Sequence, residues 1–175
     1  DRDKWRGKSG SFTTTGSESA KAFQKDFSQE NYPGAGWEPS ARLEDQDADS
    51  VVAEVLYPSF LCRIFPLSVT NEPFFRDIAS SYNEWIIDFA SYNPKRLIPQ
   101  PVLSILNPEG AAADLRAYAA RGITACAIAS SVPLGTSYGD TRFDPIWEAA
   151  VECNMVLGMH QNMGGFKHLS SNLDI

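Results

Sequence analysis

Residues 143–160 read FDPIWEAAVECNMVLGMH, and this stretch decides the fold. Asp144-Pro145 predicts a helix start, with Asp144 as the N-cap and the proline inside the first turn, where its missing N–H costs nothing. Ile146, Trp147, Ala150 and Val151 recur at helical spacing, and Asn154 ends the run. Residues 155–160 then form a short apolar strand that stops on an imidazole, His160. A helix delivering the chain into an apolar strand is half of a βα repeat.

The same alternation extends upstream. Residues 123–129 are apolar and strand-like, preceded by a helix that opens at Asn107-Pro108-Glu109, turns Leu115 and Tyr118 inward and closes on Gly122. Residues 97–103 read as another strand, although Pro99 and Pro101 weaken it. Before it, Asn71 caps a long helix in which Phe74, Ile78, Tyr82, Trp85 and Phe89 recur every three or four residues until Asn93-Pro94 stops it. Residues 51–57, VVAEVLY, read as a buried strand ended by Pro58. Residues 39–49 form a leading helix with Leu43 on its inner face. The order βαβαβαβ after a leading helix implies an α/β fold with parallel strands covered by helices, either part of a (β/α)8 barrel or a small doubly wound sheet. No G-x-G-x-x-G follows any strand, which lowers the nucleotide-binding version. Two regions result: residues 1–36, polar and irregular with one short helix at most, and residues 37–175, the regular α/β part.

Composition bounds the function. The chain has 175 residues, 43% hydrophobic, enough for a core. Its net charge of −7 argues against a nucleic-acid binder, which needs a basic face for phosphates. No run approaches a membrane span, and the charged start lacks the apolar run of a signal peptide. Cys62, Cys126 and Cys153 have no paired spacing and read as reduced thiols of a cytoplasmic protein. The first residue is not methionine, and residue 175 follows a polar loop, so the expectation is a piece of a longer protein.

Chemistry in parallel α/β folds sits at the carboxyl ends of strands. Those positions are Tyr57-Pro58-Ser59-Phe60, Leu103-Ser104, Ser130-Ser131 and His160. His160 suits metal ligation or proton transfer; otherwise it is a pocket histidine satisfied by one hydrogen bond. His168 lies in a polar loop and reads as a surface residue. Tyr57 and Phe60 are candidates for substrate contact, with Leu61, Ile64 and Phe65 able to wall an apolar pocket, underlie the N-terminal segment or form an oligomer contact. Ser130 can hold a substrate carboxylate, or simply begin a loop. Glu54, inside an apolar strand, reads as a structural ion-pair partner. The acidic run Glu44, Asp45, Asp47 and Asp49 reads as a solvated helix face. No Ser or Cys has a general base at recognisable spacing.

Four blocks together resemble amidohydrolase family 2, the relatives of aminocarboxymuconate-semialdehyde decarboxylase. They are residues 41–58 (ARLEDQDADSVVAEVLYP); Asn83-Glu-Trp85 with Asn93-Pro-Lys-Arg-Leu97, similar to "N-x-W … P-x-R-L"; residues 112–116 with Gly122-Ile123; and FDPIWEAA followed by VLGMH. The resemblance implies a metal-dependent (β/α)8 barrel that hydrolyses C–O or C–N bonds or decarboxylates unsaturated and aromatic acids. His160 matches the family's ligand at the end of the fifth barrel strand. The family's His-x-His pair belongs on the first strand and is not found in this sequence; its later histidine and aspartate belong to strands six and eight. The chain therefore corresponds to strands two to five of a TIM barrel, preceded by a long loop.

What the resemblance implies is an enzyme that uses a divalent metal, zinc first and manganese second, on a small aromatic or unsaturated acid. Its partners are then a small molecule and, at most, a second copy of itself. The competing readings are a non-catalytic half-barrel binding or assembly module, an inactive fragment lacking the other ligands, and another (β/α)8 enzyme such as a sugar isomerase with its site elsewhere.

Overall fold

A computed structural model describes residues 34–58, 61, 71–133 and 135–160. The elements run α1 (Pro39–Ala48), β1 (Glu54–Leu56), α2 (Glu72–Ser91), β2 (Leu97–Pro99), α3 (Pro108–Ala120), β3 (Ala125–Ile128), a 3₁₀ turn (Thr141–Phe143), α4 (Asp144–Glu152) and β4 (Val156–Met159). Phe60, Ile64, Phe65, His168 and most of the N-terminal segment lie outside the described residues.

All the strand pairing among the described residues is parallel. β1 runs beside β2 with Glu54 opposite Leu97 and Leu56 opposite Pro99. β3 runs beside β4 with Ala125 opposite Val156 and Ile128 opposite Met159. A bridge between Val102 and Ala127 joins the two pairs, so the strands stand in chain order. The core lies between this sheet and α2, α3 and α4, filled by Phe75, Leu97, Leu115, Ile128, Phe143 and Ile146.

The strands are shorter than the sequence predicts, for identifiable reasons. Val52 is 84% exposed and unpaired with any strand, not buried. The Arg96 guanidinium instead donates to the Val51 and Val52 carbonyls, at 2.9 and 3.0 Å, and forms an ion pair with Asp47 at 2.7 Å. One arginine thus fastens the entry to β1 onto the turn before β2. In β2, Pro99 and Pro101 have no N–H to donate, so the ladder breaks after three residues. Pairing resumes with β3 around Val102, where the Leu103 N–H donates to the Ala127 carbonyl at 2.9 Å and the Ala127 N–H to the Pro101 carbonyl at 2.7 Å, while Asn83 of α2 partners the backbone groups of Val102 itself. The Asn83 Oδ1 accepts from the Val102 N–H at 2.7 Å, and Nδ2 donates to the Val102 carbonyl at 2.9 Å. Nδ2 also donates to the Tyr118 hydroxyl at 2.9 Å, tying α2 to α3.

The predicted Asn71 cap forms, and the helix start expected at Asn107 is closed by a cap as well. Asn71 accepts from the Phe74 N–H and Asn107 from the Gly110 N–H, at 3.1 and 3.0 Å. Gly122 adopts φ +83°, the left-handed turn that ends α3. Two expectations are corrected. Asp144 is not a cap: Phe143 holds that position with no side-chain bond, because the preceding 3₁₀ turn leads directly into α4. Asp144 sits instead in the first turn, where its charge faces the positive end of the helix. The inward stripe of α2 is also offset. Phe75, Ala79, Asn83, Ile86 and Ala90 are buried; of the predicted stripe Phe89 is buried and Ile78 and Tyr82 pack against the core, whereas Phe74 is exposed and Trp85 is 45% exposed. The helix carries apolar residues on two adjacent rows, and the row with two alanines permits the closer approach to the sheet.

Candidate functional site

Side chains of a strand alternate between faces, and the register carries that alternation across the sheet. Tyr57 follows Leu56, and the Gln100 N–H donates to the Leu56 carbonyl at 3.2 Å, so Tyr57 and Gln100 stand side by side at the carboxyl ends of β1 and β2. Gly158 and His160 occupy the corresponding face of β4. A Cβ added to Gly158 would lie 2.6 Å from the Tyr57 hydroxyl oxygen and 2.7 Å from Gln100 Oε1. The absence of a side chain at residue 158 is therefore what lets these two polar groups converge against β4. The rings of Tyr57 and His160 lie 5.5 Å apart, centre to centre, and are tilted by 46°. The concave face of the sheet thus gathers residues from β1, β2 and β4 into one mouth.

The polar groups there differ in their surroundings. His160 is exposed at the rim. Tyr57 is 36% exposed. Gln100 is 2% exposed, and its Oε1 has no hydrogen-bond partner among the described residues. Ser130 lies just past β3 and is exposed. The exit of β3 is held by Tyr138, whose hydroxyl donates to the Ala129 carbonyl at 2.5 Å. Phe143 and Trp147 meet the Tyr138 ring edge-on, and burial raises the affinity of its hydroxyl for the proton, keeping it a donor. Sequence reading singled out Tyr57, Ser130 and His160 but missed Gln100 and Tyr138. A glutamine between two prolines at a strand end was the available signal for Gln100. Nothing in the local pattern marked Tyr138.

Other candidates have structural roles. Glu54 points to α1, where Arg42 donates to both of its oxygens, at 2.6 and 3.1 Å, and Gln46 adds a bond at 2.8 Å. Burial works to raise the carboxyl's pKa, but these bonds and the guanidinium charge outweigh it and hold the group below its ordinary value. Burial pushes the Cys126 thiol up to about 12, which removes it as a nucleophile at neutral pH. Leu61 is buried and joins Leu56, Tyr57, Trp85 and Phe89 around a groove of about 820 Å³ beside β1.

A structural metal needs four ligands and a catalytic one at least three from the protein. No group of three or more His, Cys, Asp or Glu side chains converges among the described residues. His160 has the chemistry and position of one ligand, and the described residues supply no complete shell around it.

An amidohydrolase family model matches residues 27–169. The chain belongs to the amidohydrolase family. Solved structures agree with this in fold. An amidohydrolase from Mycobacterium avium subsp. paratuberculosis superposes with a TM-score of 0.69 at 20% identity, covering 78% of this chain and 37% of that one. A variant of 5-carboxyvanillate decarboxylase from Novosphingobium aromaticivorans, solved with manganese and 3-methoxy-4-hydroxy-5-nitrobenzoic acid, gives 0.60 at 25% identity, covering 77% and 39%. A second structure of that decarboxylase, also with manganese, gives 0.58 at 24% identity, covering 77% and 38%. No curated protein matches this amidohydrolase chain in sequence. The chain spans under two-fifths of the length of these solved structures. Among the described residues, no helix is long and apolar enough to cross a membrane.

Proposed function

We propose that this chain supplies strands two to five of the (β/α)8 barrel of a metal-dependent enzyme that hydrolyses or decarboxylates a small aromatic or unsaturated carboxylic acid. The observation that carries the reading is an imidazole at the end of β4, facing Tyr57 across the sheet, in a chain whose family match extends over residues 27–169. The likeness to a carboxylate-removing enzyme supports the substrate class.

A bound divalent ion, zinc or manganese, would supply an activated water or polarise a substrate oxygen. His160 would provide one neutral imidazole to it. Tyr57 offers a ring face against an aromatic or unsaturated body and a hydroxyl for its polar edge. Ser130, on an exit held by Tyr138, offers a hydroxyl to a substrate carboxylate. Phe60 is the proposed apolar wall of the same mouth. We place the protein in the cytoplasm, acting on a small molecule rather than on nucleic acid or a membrane, with a second copy as its macromolecular partner.

The test is turnover of a panel of benzoic and conjugated dienoic acids and their esters and amides, by the intact protein loaded with zinc or manganese. Product formation that stops on chelation, and is absent in His160→Ala, is the expected result. Turnover that survives both treatments would overturn the proposal. A non-catalytic half-barrel module is favoured by one observation, the lone imidazole among the described metal-ligating side chains. Metal-independent binding of the same acids without turnover is its signature.

A further inference from the structure

Buried polar side chains are almost always hydrogen-bonded, because an unpartnered one forfeits its hydration without compensation. The amide of Gln100 departs from this at the carboxyl end of β2. It is 2% exposed, and its Oε1 finds no donor among the described residues. The oxygen is not turned into the apolar core behind the sheet. It lies 2.7 Å from where a Gly158 Cβ would be, and the Tyr57 hydroxyl oxygen lies 2.6 Å from that same point. An orphaned acceptor and a hydroxyl thus share one small space on the concave face, two residues before His160. Tyr57 is the more exposed of the pair, and its ring reaches the His160 ring. A molecule entering beside His160 and turning Tyr57 aside meets Gln100 Oε1 next.

From this we infer that Gln100 is a specificity-determining residue: its side-chain oxygen accepts a hydrogen bond from a hydroxyl or amino group on the substrate. The inference rests on the proposed function and narrows its substrate class to acids that carry a hydrogen-bond donor on the ring or chain. An acceptor-only oxygen discriminates in one direction. It gains a partner from a hydroxylated acid and stays unpaired against the deoxy analogue, which is how a polar site rejects a substrate lacking one group. Gly158 is part of the same device, since any side chain there would occupy the space in which the donor must sit.

The experiment measures binding of two probes to the intact, metal-loaded protein by titration calorimetry: 4-hydroxy-3-methoxybenzoic acid, whose phenol keeps its proton at neutral pH, and 3-methoxybenzoic acid, which lacks the hydroxyl. Wild type is expected to prefer the hydroxylated probe by at least about tenfold, the scale of one unsatisfied buried acceptor. Gln100→Met, nearly isosteric, is expected to lower that preference below about threefold while keeping the deoxy affinity. Gln100→Asn, which retains the amide but shortens its reach, is expected to behave likewise. Because the oxygen has no partner among the described residues, Gln100→Met is also expected to melt at or above the wild-type temperature. A Gln100 that serves only the fold would instead melt lower and leave the preference intact. Metal content, measured on the same samples, reports on the underlying reading. A protein that holds metal but binds neither probe, shows no preference, or keeps the preference in Gln100→Met overturns the role of Gln100 alone. A protein that holds no metal overturns the metal-dependent reading, while a preference lost in Gln100→Met would still assign the acceptor.

Discussion

Asn83 joins three elements with one amide. It completes both backbone groups of Val102 and reaches the Tyr118 hydroxyl, all in a buried setting. Replacing it by leucine leaves the Val102 N–H and carbonyl unpaired behind the sheet. The cost should be about 2–4 kcal/mol, read as a lower midpoint in denaturant unfolding of the intact protein. A change within about 0.5 kcal/mol would show that the backbone finds other partners. The asparagine was visible in the N-x-W resemblance, yet its task was not, because the sequence does not show that the N–H and carbonyl of Val102 face α2 rather than a strand. Gln100 was marked only by its place between two prolines, and its role appears once the register sets it opposite Tyr57. His160 was legible, because its position depends only on a short strand ending where the polar loop begins.

At the scale of elements, α1 and β1 are held together by charge. Arg42 grips Glu54 through both oxygens, and Gln46 seals the pair. The Glu54 carboxyl titrates below its ordinary 4.5 in the folded protein, so the unfolded chain takes up its proton first as the pH falls. The stabilisation is complete above about pH 5 and is lost as the pH drops through 4.5 and on through the lower folded value. Glu54→Gln should lose about 1–2 kcal/mol at pH 7 and show a flatter fall in melting temperature between about pH 5 and 3 than wild type. Parallel acid curves would contradict the pairing. Helix positions were legible here because caps and prolines act locally: Asn71, Asn107 and Gly122 fix their ends with neighbours at most four residues away. Strand lengths were not, since Arg96 withdraws the carbonyls of residues 51 and 52 from 44 or 45 positions downstream. The buried row of α2 was equally a tertiary choice between two apolar rows.

For the whole molecule, the sheet of described residues ends in β1 on one side and β4 on the other. Val156 of β4 is 63% exposed, and Val55 and Met159 are exposed as well. Unpaired strand edges with apolar side chains are templates for association. The isolated 175-residue chain should therefore sediment as oligomers or precipitate. A monomer that unfolds in one cooperative transition would show that these four strands suffice alone. A complete (β/α)8 barrel needs about 250 residues, so closing this sheet requires further strands from outside it. The mouth of that barrel is proposed to hold a divalent ion with His160 among its ligands. Elemental analysis of the intact protein, wild type beside His160→Ala, tests it most directly. About one zinc or manganese per chain is expected in wild type, and a fall of about tenfold or more in metal affinity in the variant. Equal metal content in the two proteins would contradict it.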